Sequence, residues 1–212
     1  FTIQDEAAGL TAEILNPKQG ENVLDCCSAP GGKTTYMAEI MKDSGSIKAW
    51  DIYEHRTKLI DKTAKRLGIS IINTEVQDAT RYKEEYFEKF DKILLDVPCL
   101  GIGVLKRKPD IKWHRNKEDI KEITKLKEDI LNTCSKYLKK GGELVYSTCS
   151  IFKEENDDII NEFLEKNTNF KVEKYNFDNE NYFRKFVKAD RYIQVYQNDK
   201  TDGFFICKML KN

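Results

Sequence analysis

Two cysteines stand where a thiol could act as a nucleophile. Cys99 ends the run Asp96-Val97-Pro98-Cys99, and Cys149 lies within Ser147-Thr148-Cys149-Ser150. Each follows an apolar run that reads as a buried strand, so each is delivered to a loop at a strand end. Pro98 restricts the backbone and fixes the Cys99 loop. Cys149 sits between hydroxyl residues, ahead of a helix expected to begin near Lys153, and polar surroundings with a helix N-terminus favour a thiolate. The same facts allow a plainer role, because a free cysteine is often a small buried packing residue. That plainer role is expected for Cys134 and Cys207, which fall in apolar periodic segments, and for Cys26 and Cys27 at a strand-to-turn junction. None of the six cysteines is spaced C-x-x-C, and His55 and His114 have no partner pattern, so no metal site is expected. Nor is a disulfide framework; the thiols are read as free, in a reducing cytoplasm.

A second group of residues could hold a small molecule. Cys27, Ser28, Ala29, Pro30, Gly31, Gly32 and Lys33 make a small-residue, glycine-rich turn between a strand and a helix, where a ligand can approach the backbone closely. It is no P-loop, since Cys27 occupies the position that motif gives to its first glycine. The dinucleotide fingerprint is also missing, so a single nucleoside-like ligand fits better. Asp51 ends the next strand, at roughly the 20-residue interval at which an acid holds ribose hydroxyls. Asp78, in Val76-Gln77-Asp78-Ala79-Thr80, could accept from an adenine amine. Both could instead cap the following turn. Finally, Lys106, Arg107, Lys108, Lys112 and Arg115 interleave with Trp113 and His114, beginning seven residues after Cys99. Cations interleaved with an aromatic suit an RNA backbone and an unstacked base, although a charge run is commonly just solvated surface.

The elements that must position these residues read as alternating strands and helices. Apolar runs rich in Val, Ile and Leu at 22–26, 46–50, 69–74, 92–96 and 143–147 predict buried strands. Helices are predicted at 4–15, 33–42, 55–67, 117–138 and 154–164, with Gly141-Gly142 as a stop after the fourth. Residues 201–209 predict a last strand, and 176–190 a long loop. This order predicts an α/β domain with an open, mostly parallel sheet. Ligands bind such sheets at the carboxyl ends of the strands, and every strand here delivers small or polar residues to that one rim. The chain has 212 residues, with 36 basic and 36 acidic side chains. No net field draws it onto nucleic acid, so any RNA contact must be local. No apolar run approaches the ~20 residues of a membrane span, and a cytoplasmic monomer is expected.

The segments DCCSAPGGKTTYMAE, WDIYEHR, QDAT, FDKILLDVPCLGIGV, KRKPDIKW, GGELVYSTCSIFKEEN and TDGFFI together resemble the Sun/Fmu family of S-adenosylmethionine-dependent RNA cytosine-5 methyltransferases. The likeness covers nearly the whole chain and is greatest to bacterial members acting on small-subunit ribosomal RNA; transfer RNA or another RNA is the alternative substrate. The resemblance implies a class I, Rossmann-like methyltransferase fold with an open seven-stranded sheet and one antiparallel strand. It implies that Cys27 to Lys33 line the cofactor's methionine and ribose, that Asp51 holds the ribose and Asp78 the adenine amine, and that Asp96 lies near both cofactor and base. It further implies Cys149 as the nucleophile and Cys99 as the thiol assisting product release. Residues 1–212 then form a catalytic domain, and the opening at Phe1 leads us to expect a preceding helical RNA-binding domain. This sequence departs from the family pattern at Leu100 and Ile102, where small polar residues are usual, and at Tyr196-Gln197, where a proline is usual. These departures bear on local loop shape.

Overall fold

The computed structural model describes residues 2–113, 116–174, 187–188, 191–198 and 200–212. The first helix, α1 (Glu6–Leu15), starts where the Asp5 carboxylate accepts from the Ala7 N–H at 3.0 Å, and ends at Asn16 in a left-handed conformation. Then β1 (Asn22–Asp25), α2 (Gly32–Ile40), β2 (Ser46–Asp51), α3 (Glu54–Leu67), β3 (Ile72–Val76), β4 (Phe90–Asp96), α4 (Lys117–Cys134) and β5 (Leu138–Thr148) alternate as the apolar periodicity predicts. α5 (Asp157–Lys166), β6 (Phe170–Val172), β7 (Val187–Lys188), β8 (Tyr192–Val195) and β9 (Phe204–Lys211) complete the described chain.

The sheet order is β3-β2-β1-β4-β5-β9-β8-β7, with β6 also on β9. β1 to β5 are parallel, and β9 runs antiparallel to β5. The α/β architecture and the antiparallel final strand are therefore as expected. Among the described residues the sheet has nine strands rather than seven. The additions lie beyond β9, whose outer edge is shared by β8 at Phe204–Ile206 and β6 at Met209–Lys211, while β7 pairs with β8. These short strands carry too little alternation to be read in sequence, and β7 falls inside the segment expected to be a loop. The rest of that segment lies outside the described residues.

Alternate strand residues point to opposite faces. Val23, Leu94, Val145, Phe204 and Ile206 pack with α1 and α2; Leu24, Ile93, Leu95, Leu144, Tyr146 and Phe205 pack with α4 and α5. Gly141 and Gly142 do not stop α4, which ends at Cys134; they lie within β5, where the pairing with β4 shifts register near Phe90 and Lys92. A Cβ on Gly142 would stand 2.9 Å from the Asp91 carbonyl oxygen, so close strand approach is what requires glycine there.

Candidate active site

At the carboxyl rim, the turn after β1 hooks onto β2. Both the N–H and the hydroxyl of Ser28 donate to the Trp50 carbonyl, at 2.8 and 2.7 Å. Gly31 takes a φ of 104°, and a Cβ there would press on Ile60 of α3 at 3.3 Å. This conformation lets α2 begin directly from the turn. Beneath it lies Asp25, which is buried. One of its carboxylate oxygens accepts from the Thr34 hydroxyl at 2.7 Å, and the other has no partner. Burial pushes the Asp25 carboxyl from its ordinary 3.8 to about 7.

Asp51, at the end of β2, is 4% exposed. It accepts from the Tyr53 N–H at 3.1 Å and lies 3.3 Å from the Arg56 guanidinium. Asp78 accepts from the N–H and hydroxyl of Thr80, at 3.0 and 2.7 Å. Both carboxylates thus make turn-capping bonds and also line one cavity of about 310 Å³, together with Cys27, Ala29, Asp96 and Cys99. Single-nucleoside ligands need a pocket of this order.

Asp96, at the end of β4, is the junction of the site. It accepts from Lys33 Nζ at 2.7 Å and from the Ser147 hydroxyl at 2.8 Å. It lines the 310 Å³ cavity, a second of about 220 Å³ and a third of about 210 Å³. The second is walled by Asp5, Lys33, Cys149, Asp202 and Phe204, with the Lys33 ammonium 5.3 Å above the Phe204 ring. The third lies along Asp25 and the turn from Cys27 to Lys33. Cys149 belongs to both the first and the second.

Cys26, Cys27, Cys134 and Cys207 are free thiols, and the Cys99 and Cys149 sulfurs are brought against each other, with Cα atoms 6.3 Å apart. The cause is topological. β4 and β5 are adjacent and parallel, with Asp96 opposite Ser147, so the two cysteines leave the sheet at the same height. Burial pushes the thiols of Cys26 and Cys27 well up and that of Cys207 to about 12, which keeps them neutral. The helix expected just after Cys149 starts later. One 3-10 turn, Lys153–Glu155, intervenes before α5 opens at Asp157. A helix dipole acts within about one turn, so it gives no support to a Cys149 thiolate.

Three loops are stapled around these cysteines. Gly103 donates to the Cys149 carbonyl at 2.9 Å, and Gly203 donates to the Gly103 carbonyl at 2.8 Å. A Cβ on Gly103 would collide with both the Gly203 and the Cys149 backbone, so the contact demands glycine. Leu100 is buried, so its departure from the expected polar residue is accommodated by packing.

The basic stretch divides. The Arg107 guanidinium is held by Asp5 at 2.6 Å and Asp202 at 3.0 Å, which ties it to the wall of the second cavity. Lys106 and Lys108 are exposed, as is Trp113 at 76%. Lys112 lies in the short 3-10 turn Pro109–Trp113, and Arg115, with His114, lies outside the described residues. Among the described residues no group of three or more His, Cys, Asp or Glu could hold a metal ion, and no helix is long and apolar enough to cross a membrane.

Residues 12–210 match the model of the 16S rRNA methyltransferase RsmB/F family. The chain belongs to that family. A relative from Bacillus subtilis, named probable ribosomal RNA small subunit methyltransferase B, is 42% identical over 99% of this chain and 47% of its own length. This RsmB/F chain therefore spans about half the length of the curated relatives it matches. Among solved structures, NSun6 from Pyrococcus horikoshii with SFG superposes with a TM-score of 0.86 at 30% identity, over 98% of this chain and 52% of that one. A methyltransferase homolog from the same organism gives 0.84 at 33%, over 100% and 68%. Within the RsmB/F chain, sequence reasoning passed over Asp5, Asp25, Arg56, Asp202 and Glu155. Asp25 carried a signal, as an acid at a strand end on the rim; the others reach the site only through tertiary contacts.

Proposed function

We propose that this chain transfers a methyl group from S-adenosylmethionine to carbon 5 of a cytosine in RNA, with small-subunit ribosomal RNA as substrate, through a covalent Cys149 adduct. The observation that carries this reading is that Cys149 and Asp96 are shared between two cavities, one fit for a cofactor and one for a base. The residues suit the cofactor: the left-handed Gly31 turn admits close approach, Asp51 lines the 310 Å³ cavity, and Asp25 keeps an unpartnered buried oxygen beside the turn. The Pyrococcus NSun6 relative, solved with the S-adenosylmethionine analogue SFG, supports the same assignment. Cys27 to Lys33, Asp51, Asp78 and Asp96 would hold S-adenosylmethionine, which supplies an electrophilic methyl group on a sulfonium centre.

Carbon 5 of cytosine is a poor nucleophile. Addition of the Cys149 thiolate to carbon 6 pushes the ring electrons toward carbon 5, which can then take the methyl group. Cys149 does this as the free thiolate, with Cys99 beside it as a thiol. In this reading Asp96, which accepts from Lys33 and Ser147, binds or protonates ring nitrogen 3 as charge gathers there. Removal of the carbon 5 proton by Cys99 or a water then lets the Cys149 sulfur leave. The base must be unstacked to enter the 220 Å³ cavity. Lys106 and Lys108, with Lys112 and Arg115 in the same stretch, contact the RNA backbone. The test is transfer of labelled methyl from the cofactor to bare ribosomal RNA and, separately, to transfer RNA, with mapping of the product. Label in 5-methylcytosine supports the reading. Label only in transfer RNA moves the substrate, and label at another atom overturns the carbon 5 chemistry.

A further inference from the structure

Behind the two cysteines lies a buried ion pair for which the proposed chemistry has no direct use. Glu155, in the turn between β5 and α5, and Lys127, on α4, are both 0% exposed, 2.6 Å apart. The Glu155 carboxylate reaches both cysteine loops. One oxygen accepts from the Ser150 hydroxyl at 2.5 Å, and the other from the Leu100 N–H at 3.2 Å. Ser150 is the residue after Cys149, and Leu100 the residue after Cys99. The Glu155 carbonyl also accepts from the Tyr146 hydroxyl at 2.7 Å, which anchors the turn to β5. Next to it, Asn156 grips the same loop from its other side, accepting from the Thr148 hydroxyl at 2.6 Å and donating to the Ser150 carbonyl at 3.0 Å.

Stability alone gives this pair no rationale. Removing two charges from water costs about as much as their attraction returns, and apolar replacements of such pairs are often neutral or stabilising. The cost is visible at Lys127, whose amine burial pushes down to about 8 despite the facing carboxylate. What an apolar pair could not do is hold a backbone N–H on one loop and a hydroxyl on the other with one rigid group.

We propose that Glu155, held by Lys127, is a positioning residue that sets the two cysteines against the same base. This rests on the two-cysteine reading above. That chemistry asks one sulfur to add at carbon 6 while the other works beside carbon 5, and a misplacement of about 1 Å can cost about 100-fold in rate. Glu155 lines none of the three cavities.

The test is a Glu155→Leu/Lys127→Met double variant, which removes the brace without stranding a charge. Its calorimetric affinity for S-adenosylmethionine is expected to match the wild type, while its melting temperature falls because the Ser150 hydroxyl and the Leu100 N–H lose their acceptor. Its kcat for RNA methylation is expected to fall about 100-fold with KM little changed. In a Cys99→Ala background, its covalent RNA adduct is expected to form correspondingly slowly. A folded double variant that methylates and traps at the wild-type rate overturns the proposal. Should the double variant not fold, Ser150→Ala carries the test. That change removes one hydroxyl and is expected to slow adduct formation about 10-fold, about what one lost hydrogen bond to a charged group implies; an unchanged rate overturns the proposal equally. A wild-type protein that neither methylates nor traps any RNA overturns the functional reading, and this one with it.

Discussion

At the residue scale the two cysteines face each other, yet chemistry should separate them. Cys149→Ala should abolish methylation and form no adduct. Cys99→Ala should add to the base and methylate it, then stall, leaving a cofactor-dependent protein–RNA band on a denaturing gel. A trapped band from Cys149→Ala instead would reverse the roles. Asp51→Ala should weaken cofactor binding by about 1–3 kcal/mol, the cost of leaving buried partners unpaired, as read by calorimetry. Asp25 makes a prediction in pH. Its carboxyl titrates near 7 in the fold against 3.8 ordinarily, so the native state holds that proton more tightly than the unfolded chain. Its contribution to stability is full below pH 4 and is lost as pH rises through 7. Asp25→Asn should remove about 3 kcal/mol of the decline between pH 5 and pH 8, at ~1.4 kcal/mol per pKa unit. Denaturant midpoints of the two proteins at pH 5 and pH 8 check it, and parallel declines would discard the assignment. The convergence of Cys149, Cys99, Asp96 and Asp51 on one rim was legible in the sequence because Asp51 and Asp96 end strands and the two cysteines follow β5 and β4. Asp5 and Glu155 were not, because only the folded chain brings an N-terminal cap and a short turn to the cysteines.

At the element scale, the parallel half of the sheet could be read from β-branched runs alone. The outer strands could not. β6 and β7 have three and two residues, too few to show a period, and pairing with β9 and with β8, respectively, is what makes them strands. The glycine pair at Gly141-Gly142 misled for a related reason: a tight strand contact and a helix stop select the same residue type. Two glycines separate packing from propensity. Gly9 lies inside α1, and a Cβ there would meet only Tyr36 at 3.8 Å. Gly9→Ala should therefore stabilise the protein by about 0.5–1 kcal/mol in thermal or denaturant unfolding. Gly103→Ala should do the opposite. Its methyl would wedge apart the loops carrying Cys99, Cys149 and Asp202, and methylation should suffer more than cofactor binding. A fully active Gly103→Ala would mean the three loops move independently.

At the scale of the whole molecule, equal numbers of acids and bases leave any RNA binding to local charge. Replacing Lys106 and Lys108 should flatten the dependence of log affinity on log salt by about one unit per lost phosphate contact. Replacing Arg107 should act differently, because its guanidinium holds Asp5 and Asp202 together; the expected loss is in turnover, from a distorted second cavity, with the salt slope nearly intact. The same knot has a consequence during synthesis. Thr201 and Asp202 donate to the Asp5 carboxylate across 196 and 197 residues of chain, so the cavity wall joins nearly the first described residues to nearly the last. Until β9 emerges from the ribosome, β5 is a bare edge and that wall has one side only. A nascent chain can thus build the rim at β1 to β4 well before it can close the second cavity, because the residues that close it are 196 and 197 positions apart.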